Sequence, residues 1–559
     1  MFSYQGSKID KYLDNVYTTS KLNKPHIRYM YLIYSILISM NLTAIKIAFQ
    51  YNFIFSNFYI ITVFNKRIDL VSFLSNYLIY FKLFYYIFSF VFFVYIVYYI
   101  LNKSFKEKEE IYDHTNDLYL GVDKDNNKIY LEYNGLFQNI LITGSIGSGK
   151  TSSAITNTLE YLMKQNIFGL ILDVKGNYIE TVKMLSKKYK KNIVEISLDS
   201  KFKYNPININ LTPVEIAYML KQVLISITDN NNSDSYWLDK TESYIKDFIV
   251  LITTYNDYVS MDEIHKLVID KSYLNSMLEK IKKLIINNKY SESKLYELNS
   301  AISNIKKEYL TLDDRTFNII RSEITRITDV FVSSYEINNI FCRENDIDFS
   351  LNKIYVLSID IAKNTKLAKI IATYLKLYFQ KYILSNNKNS PMFFIADEYQ
   401  EFANKEDATF FSLSREYRCI NIVAMQSYTS LSNSIVNDNS TMVIIQNLVN
   451  KIWFRNDDVK TVQNITQQIG KEEKERLCTN LNESATNSSY SAITNKFKNS
   501  KSSLNKGYTV NRSLEEILNT NYFTSYLKTY ETVCMLSDGY NMKLYKYIKM
   551  ERNEINEYK

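Results

Sequence analysis

Histidine and cysteine are almost missing from this 559-residue chain, which has three of the first and four of the second. The cysteines, Cys342, Cys419, Cys478 and Cys534, lie far apart, and no C-x-x-C or Cys/His cluster occurs. That excludes a zinc-finger site and a disulfide framework, and it fits a reducing compartment. His26, His114 and His265 are isolated, so each reads as an ordinary surface or core residue rather than a ligand or base. Proline (4) and glycine (11) are scarce as well, which excludes a Pro- or Gly-rich disordered protein. Nor is charge of one sign in large excess. Lys and Arg number 67 against 59 Asp and Glu, for a net +8. Over this length such a balance is compatible with an anionic partner but demonstrates none.

What the chain does have is apolar material. Hydrophobic residues make up 46% of it, and its length suggests roughly three to four domain-sized units. Residues 77–101, YLIYFKLFYYIFSFVFFVYIVYYIL, are apolar except for Lys82. About 20 such residues cross a bilayer as a helix, and a lysine near one end can snorkel to the headgroups. Tyr29–Ile45 is a second uncharged run, closed by Lys46 and preceded by Lys21, Lys24 and Arg28. Lys103, Lys106 and Lys108 follow the later run. Basic residues at both outer ends predict two spans, at about 29–48 and 77–101, with both ends cytoplasmic and a short outside loop around 50–75. Residues 47–64 leave a third or interfacial span open.

About forty residues after the second apolar run comes GSIGSGKT, the P-loop pattern G-x-x-x-x-G-K-[ST]. It comprises Gly144, Ser145, Ile146, Gly147, Ser148, Gly149, Lys150 and Thr151. An apolar strand leads in from Asn139, and a helix leads out from Thr151. Loop amides at a helix N-terminus offer donors to phosphate oxygens. Lys150 is expected to reach the β- and γ-phosphates, and the Thr151 hydroxyl to ligate Mg2+. The next strand, in FGLILDVKGNY (168–178), ends in Asp173 and Lys175. These either face the nucleotide or a neighbouring subunit, or belong to a plain strand-end turn. PMFFIADEYQEFA (391–403) supplies an apolar strand ending in acid. There Asp397 is expected to hold Mg2+ through water, and Glu398 to polarise the attacking water. Ile420–Met425 reads as a buried strand tipped by Gln426, placed to sense the γ-phosphate. Arg415 and Arg418 precede it, either as an arginine finger for the next subunit's site or as surface salt bridges.

The order of these units, strand and helix in alternation, predicts an α/β fold with a mostly parallel sheet. Residues 212–345 interrupt it with helical periodicity, opened by Thr212-Pro213 and Glu215. The expected division is a transmembrane anchor over 1–102, the sheet domain over 103–211 and 346–559, and an inserted all-helical domain between them. ESATNSSYSAITNKFKNSKSSLNKG (483–507) reads as a flexible loop, and Tyr526–Met550 as a terminal hairpin turning at Asp538-Gly539.

Taken in order, GSIGSGKT, the DVKG strand, YNPININ, SYWLDKTESYIKDFI, DEYQEFA, SREYR, MQSYTSL, NKIWFRNDD and TVQNITQQIGKEE resemble the coupling proteins of type IV secretion, the TraG/TraD-like conjugative ATPases. The resemblance covers roughly residues 29–550, with Val174 where the family often has proline. It implies a RecA-like P-loop NTPase domain bearing an inserted all-helical domain and a two-helix transmembrane anchor. It also implies a homo-hexameric ring at the inner face of the plasma membrane that uses ATP and Mg2+. The implied partners are relaxase-linked DNA (expected single-stranded), relaxosome proteins and the secretion channel. The residues themselves argue for DNA only weakly. There is no compact basic recognition helix, and the 49 tyrosines are better read as core than as stacking platforms. An FtsK-type translocase, a coupler for protein effectors alone and a non-motor scaffold are the competing readings.

Overall fold

A computed structural model describes residues 114–228, 235–256, 258–287, 290–385, 390–435, 438–485 and 502–553, with short stretches within 61–68, 80–95 and 490–497. The chain divides into two units, Met1–Asp113 and His114–Lys559.

In the first unit, β1 (Ile61–Val63) and β2 (Lys66–Ile68) form an antiparallel hairpin. It falls where the sequence suggests a loop between spans. The described positions between 80 and 95 are helical and exposed, and Phe84, Phe88 and Phe92 stack at i, i+4 with centroids 6.4 and 6.3 Å apart. Among the described residues no helix is long and apolar enough to cross a membrane. The run at 29–48 and much of 77–101 lie outside the described residues.

The second unit is built on one eleven-stranded sheet. Its strands are β3 (Leu118–Val122), β4 (Lys128–Leu131), β5 (Ile140–Thr143), β6 (Phe168–Asp173), β7 (Ile193–Ile196), β8 (Ile354–Ser358), β9 (Met392–Ala396), β10 (Cys419–Met425), β11 (Asn450–Trp453), β16 (Glu531–Ser537) and β17 (Met542–Lys549). Their spatial order is β4-β3-β17-β16-β11-β5-β10-β9-β6-β8-β7. From β11 to β7 every pairing is parallel, and from β11 to β4 every pairing is antiparallel. Most residues of the parallel strands are apolar because helices cover both faces. Alternate residues serve opposite cores. Leu170 and Leu172 of β6 face one cluster, and Ile171 faces the other.

One of these cores is shared with the insertion. Helices Pro213–Ile227, Ser235–Tyr255, Met261–Ile269, Lys271–Asn287, Glu292–Lys307, Asp314–Val332 and Tyr335–Phe341 occupy the stretch read as helical. Their buried residues are continuous with Leu141, Leu357 and Phe394 of the sheet. The first of them starts in a capping box, with Thr212 Oγ1 accepting from Glu215 N at 3.3 Å and Glu215 Oε2 accepting from Thr212 N at 3.0 Å. At its centre Tyr309 packs against Tyr244, Phe248 and Phe317 with centroids 5.0–5.4 Å apart.

The expected terminal hairpin is present as β16–β17, turning through Asp538-Gly539. The expected flexible loop at 483–507 is not what the described residues form. β12 (Lys471–Ala485) and β15 (Ser502–Glu516) pair along fifteen residues each, roughly 50 Å of two-stranded ribbon. Near its tip, β13 (Tyr490–Ser491) pairs with β14 (Lys496–Phe497). Ser, Asn and Lys give no apolar alternation here. The strands are specified by their ladder of backbone bonds, which leaves no hydrophobic signature in the sequence.

Candidate nucleotide site

Strand β5 delivers the P-loop at its carboxyl end, between β10 and β11. Both neighbours hold it. Gly144 N donates to Met425 O at 3.4 Å, and Ser145 N to Arg455 O at 2.8 Å. Glycine is required where the loop is tightest. A Cβ on Gly144 would sit 2.6 Å from Phe454 Cβ, and Gly149, at φ +102, would put one 2.6 Å from the Tyr530 ring. The helix then opens with one wide turn, Lys150–Ile155, before the regular helix Thr156–Lys164.

Lys150 folds back over the loop, and its ammonium donates to Gly144 O and, at 3.2 Å, to Ser145 O. Burial lowers its pKa, and the carboxylates of Glu398 and Asp397 oppose that shift. Thr151 Oγ1 donates to Asp397 Oδ2 at 2.9 Å, so the two expected Mg2+-binding groups meet. Burial raises the Asp397 pKa against the pull of Lys175.

Glu398 follows in the left-handed region, at φ 51 and ψ 46, a conformation a non-glycine residue holds only when its surroundings impose it. Its carboxylate is held by Lys175 Nζ, by Gln400 Nε2 at 2.6 Å and by Gln426 Nε2 at 3.0 Å. Burial alone would raise its pKa. The donors Lys175, Gln400 and Gln426 outweigh that and lower it, so the carboxylate is ionised at neutral pH. Lys150, Thr151, Lys175, Asp397, Glu398 and Gln426 are therefore assembled at the carboxyl ends of β5, β6, β9 and β10, where ligands bind in open α/β sheets.

Two readings that the sequence left open can now be placed. Asp173 organises the strand-end turn, one of its two alternatives. Its oxygens accept from Lys175 N and Gly176 N, both at 3.1 Å, and from Tyr178 N at 2.8 Å. That commitment to local amides leaves Lys175 as the residue of this strand end that reaches the site. Arg415 and Arg418 precede β10 and so lie at its amino end, roughly 20 Å of strand from their own P-loop. Arg415 donates to Gly539 O at 3.3 Å, and Arg418 lies 5.4 Å from the Phe137 ring centroid and donates to Tyr133 Oη at 3.3 Å. As a finger, either arginine can serve only another subunit's site.

Sequence reasoning missed several contributors. Gln400 lies two residues beyond Glu398 on a turn whose geometry no motif encodes. Ser145 Oγ donates to Asp457 Oδ2 at 2.9 Å. Tyr530 N donates to Ser148 O at 3.1 Å, and Asn553 N to Ser152 O at 3.0 Å. Among the described residues Ser148 Oγ and Arg455 Nε are buried beside the loop without partners, and a phosphate oxygen would satisfy both. Among the described residues no group of three or more His, Cys, Asp or Glu side chains could hold a metal. Thr151 and Asp397 suit instead a Mg2+ that keeps most of its ligands from phosphate and water.

A profile of the family described as the type IV secretion-system coupling protein DNA-binding domain matches residues 127–535. A sequence search of curated proteins finds no match. Among solved structures, the bacterial conjugative coupling protein TrwBdeltaN70 in its unbound monoclinic form aligns at 11% identity and TM-score 0.54, over 78% of this chain and 89% of that one. TrwB in complex with the non-hydrolysable GTP analogue GDPNP aligns at 11% identity and TM-score 0.53, over 76% and 88%. TrwB in complex with ADP and Mg2+ aligns at 12% identity and TM-score 0.51, over 75% and 86%. At such identities the structures speak for a shared fold, a RecA-like α/β domain with a large, mostly parallel sheet. The family match spans well over half of the sequence, and the chain belongs to the type IV secretion-system coupling proteins.

Proposed function

We propose that this protein is a membrane-anchored ATPase that couples relaxase-linked DNA to a type IV secretion channel and drives its transfer. The observation that carries the enzymatic part is the convergence of Lys150, the Thr151–Asp397 pair and the triply held Glu398 on one loop. Bound ATP would supply the phosphoryl group, and bound Mg2+ would draw charge off it. Lys150 is the cation for the terminal phosphates, and Glu398 is the ionised acceptor for a proton from water. Gln426 bridges the strand tip to Glu398 and reports on the phosphate end of the site. TrwB has been captured with ADP and Mg2+, which supports the same ligands here.

The membrane reading rests on the apolar runs with their basic flanks, and on the exposed Phe84, Phe88 and Phe92 ladder. Both termini and the sheet domain are then cytoplasmic, and a homo-hexameric ring is the expected assembly. DNA as the cargo follows from the family's own description as a DNA-binding domain.

The test is steady-state ATP hydrolysis by the full-length chain in detergent, with and without single- and double-stranded DNA, over a range of salt. DNA stimulation that weakens steeply with salt is expected, since phosphate contacts release counterions. Lys150→Ala should abolish turnover. Robust turnover indifferent to DNA would replace the DNA reading with a coupler of protein effectors.

A further inference from the structure

Behind Glu398 lies a buried polar cluster that the site itself does not use. Lys376, on the helix Thr365–Ser385, and Asp407 are both fully buried and pair at 2.5 Å. Asp407 also accepts from Gln380 Nε2 at 2.7 Å, from Asn404 N at 2.9 Å and from the hydroxyl of Tyr399. Lys376 also donates to Phe402 O at 2.7 Å. One ion pair thus fixes residues 399, 402 and 404, the chain leaving Glu398. On the other side of Glu398, Asp397 N is held by Leu172 O at 3.3 Å. The left-handed conformation of Glu398 is over-determined from both directions, which is the condition for such a conformation to persist.

The cluster also reaches the insertion. Asn404 Nδ2 donates to Gln222 O, on the inserted helix Pro213–Ile227, over a long 3.4 Å. Gln222 Oε1 and Gln400 Oε1 are both buried without partners among the described residues. Gln400 is one of the three residues that hold Glu398. Unsatisfied acceptors at both ends of one path of hydrogen bonds and backbone, with a stretched bond at the junction, mark an arrangement with room for a better-bonded alternative. Buried ion pairs of this kind contribute little net stability over apolar residues of equal volume, so a role in placement accounts for the cluster better.

We propose that Lys376, Asp407, Tyr399 and Asn404 are positioning residues that tie Glu398 to the inserted helices, so that engagement of cargo by the insertion sets the rate of ATP hydrolysis. This rests on the hydrolytic reading of Glu398. The signal needs no displacement of the nucleotide loop. A shift of the helix Pro213–Ile227 acts on Asn404, and through the Asp407 cluster on the turn that carries Gln400 and Glu398.

The test uses the full-length chain in detergent, with single-stranded DNA as the cargo probe. Tyr399→Phe removes one hydroxyl from the cluster, and Asn404→Ala cuts the link to Gln222. Both are milder than breaking the ion pair, and Lys376→Met with Asp407→Asn removes both charges together. For Tyr399→Phe and the double variant, kcat should fall at least threefold and tenfold respectively, with KM for ATP within twofold. For Asn404→Ala, the ratio of DNA-stimulated to basal kcat should fall at least threefold. Wild-type kcat in Tyr399→Phe together with wild-type stimulation in Asn404→Ala overturns the proposal, as does a loss expressed in KM alone. A wild-type chain no faster than Lys150→Ala is a different failure, because it removes the hydrolytic reading as well.

Discussion

Glu398 carries a burden its neighbours do not. It holds a left-handed backbone and keeps a charge in a largely buried place because Lys175, Gln400 and Gln426 converge on it. Glu398→Gln keeps the size of the side chain and removes the charge that a base needs. Turnover should fall by about 10²–10⁴ while nucleotide binding, read by equilibrium dialysis, persists; turnover at the wild-type rate would reassign the base. Lys451 is the converse case, a buried cation with no carboxylate beside it among the described residues. Its ammonium donates to Ile445 O at 2.9 Å and Leu448 O at 2.7 Å, at the end of the helix Asp438–Asn447. Burial pulls its pKa from 10.5 to about 8. Between those values the unfolded chain binds the proton and the folded chain does not, so this group makes stability rise with pH across the window. Melting temperatures compared at pH 7.5 and 9.5 should show that rise reduced in Lys451→Met.

At the scale of the element, the sheet is unforgiving where strands approach closely. A Cβ on Gly169 in β6 would lie 1.9 Å from Phe393 O in β9, so Gly169→Ala must push two central strands apart. A loss of about 1–3 kcal/mol is expected, as for other overpacked cores, measurable as a lowered melting temperature. Strands of this kind were readable in advance. β5, β6, β8, β9 and β10 are near-continuous apolar runs, and the polar residues that follow β5, β6, β9 and β10 stand out in the motifs. β11 was not, because two of its four residues are polar and buried. Asn450 Nδ2 donates to Gly135 O at 2.8 Å, Asn450 Oδ1 accepts from Ser537 N at 2.8 Å, and Lys451 finishes a helix. The partners of Asn450 come from distant parts of the chain, and no local pattern announces them. Asp173 is a local case, which spacing alone leaves undecided between ligand and turn. Three backbone amides within five residues decide it.

At the scale of the molecule, the insertion and the sheet are one packed body. Residues from the helices between 213 and 341 share a continuous apolar cluster with one face of the sheet, so neither can be removed without exposing the other. A chain lacking residues 212–345 should aggregate rather than yield a smaller working ATPase. A soluble, hydrolysing deletion product, seen by size exclusion and phosphate release, would show that the two fold separately. The helical character of the stretch between 213 and 341 was legible from periodicity. Their common core was not, since periodicity shows which face of a helix is apolar and says nothing of what covers it.

The nucleotide loop is finished by the far end of the chain. Tyr530 closes over Gly149 and bonds Ser148, Met550 N donates to Tyr530 O at 2.8 Å, and Asn553 bonds Ser152. Synthesis at about 5–20 residues per second separates the loop's emergence from that of its closing residues by roughly 20–80 s. Until then a nascent chain carries the phosphate motif without the contacts that shape it. A chain cut short by premature termination or by a protease near its end keeps every signature residue and still lacks the finished loop.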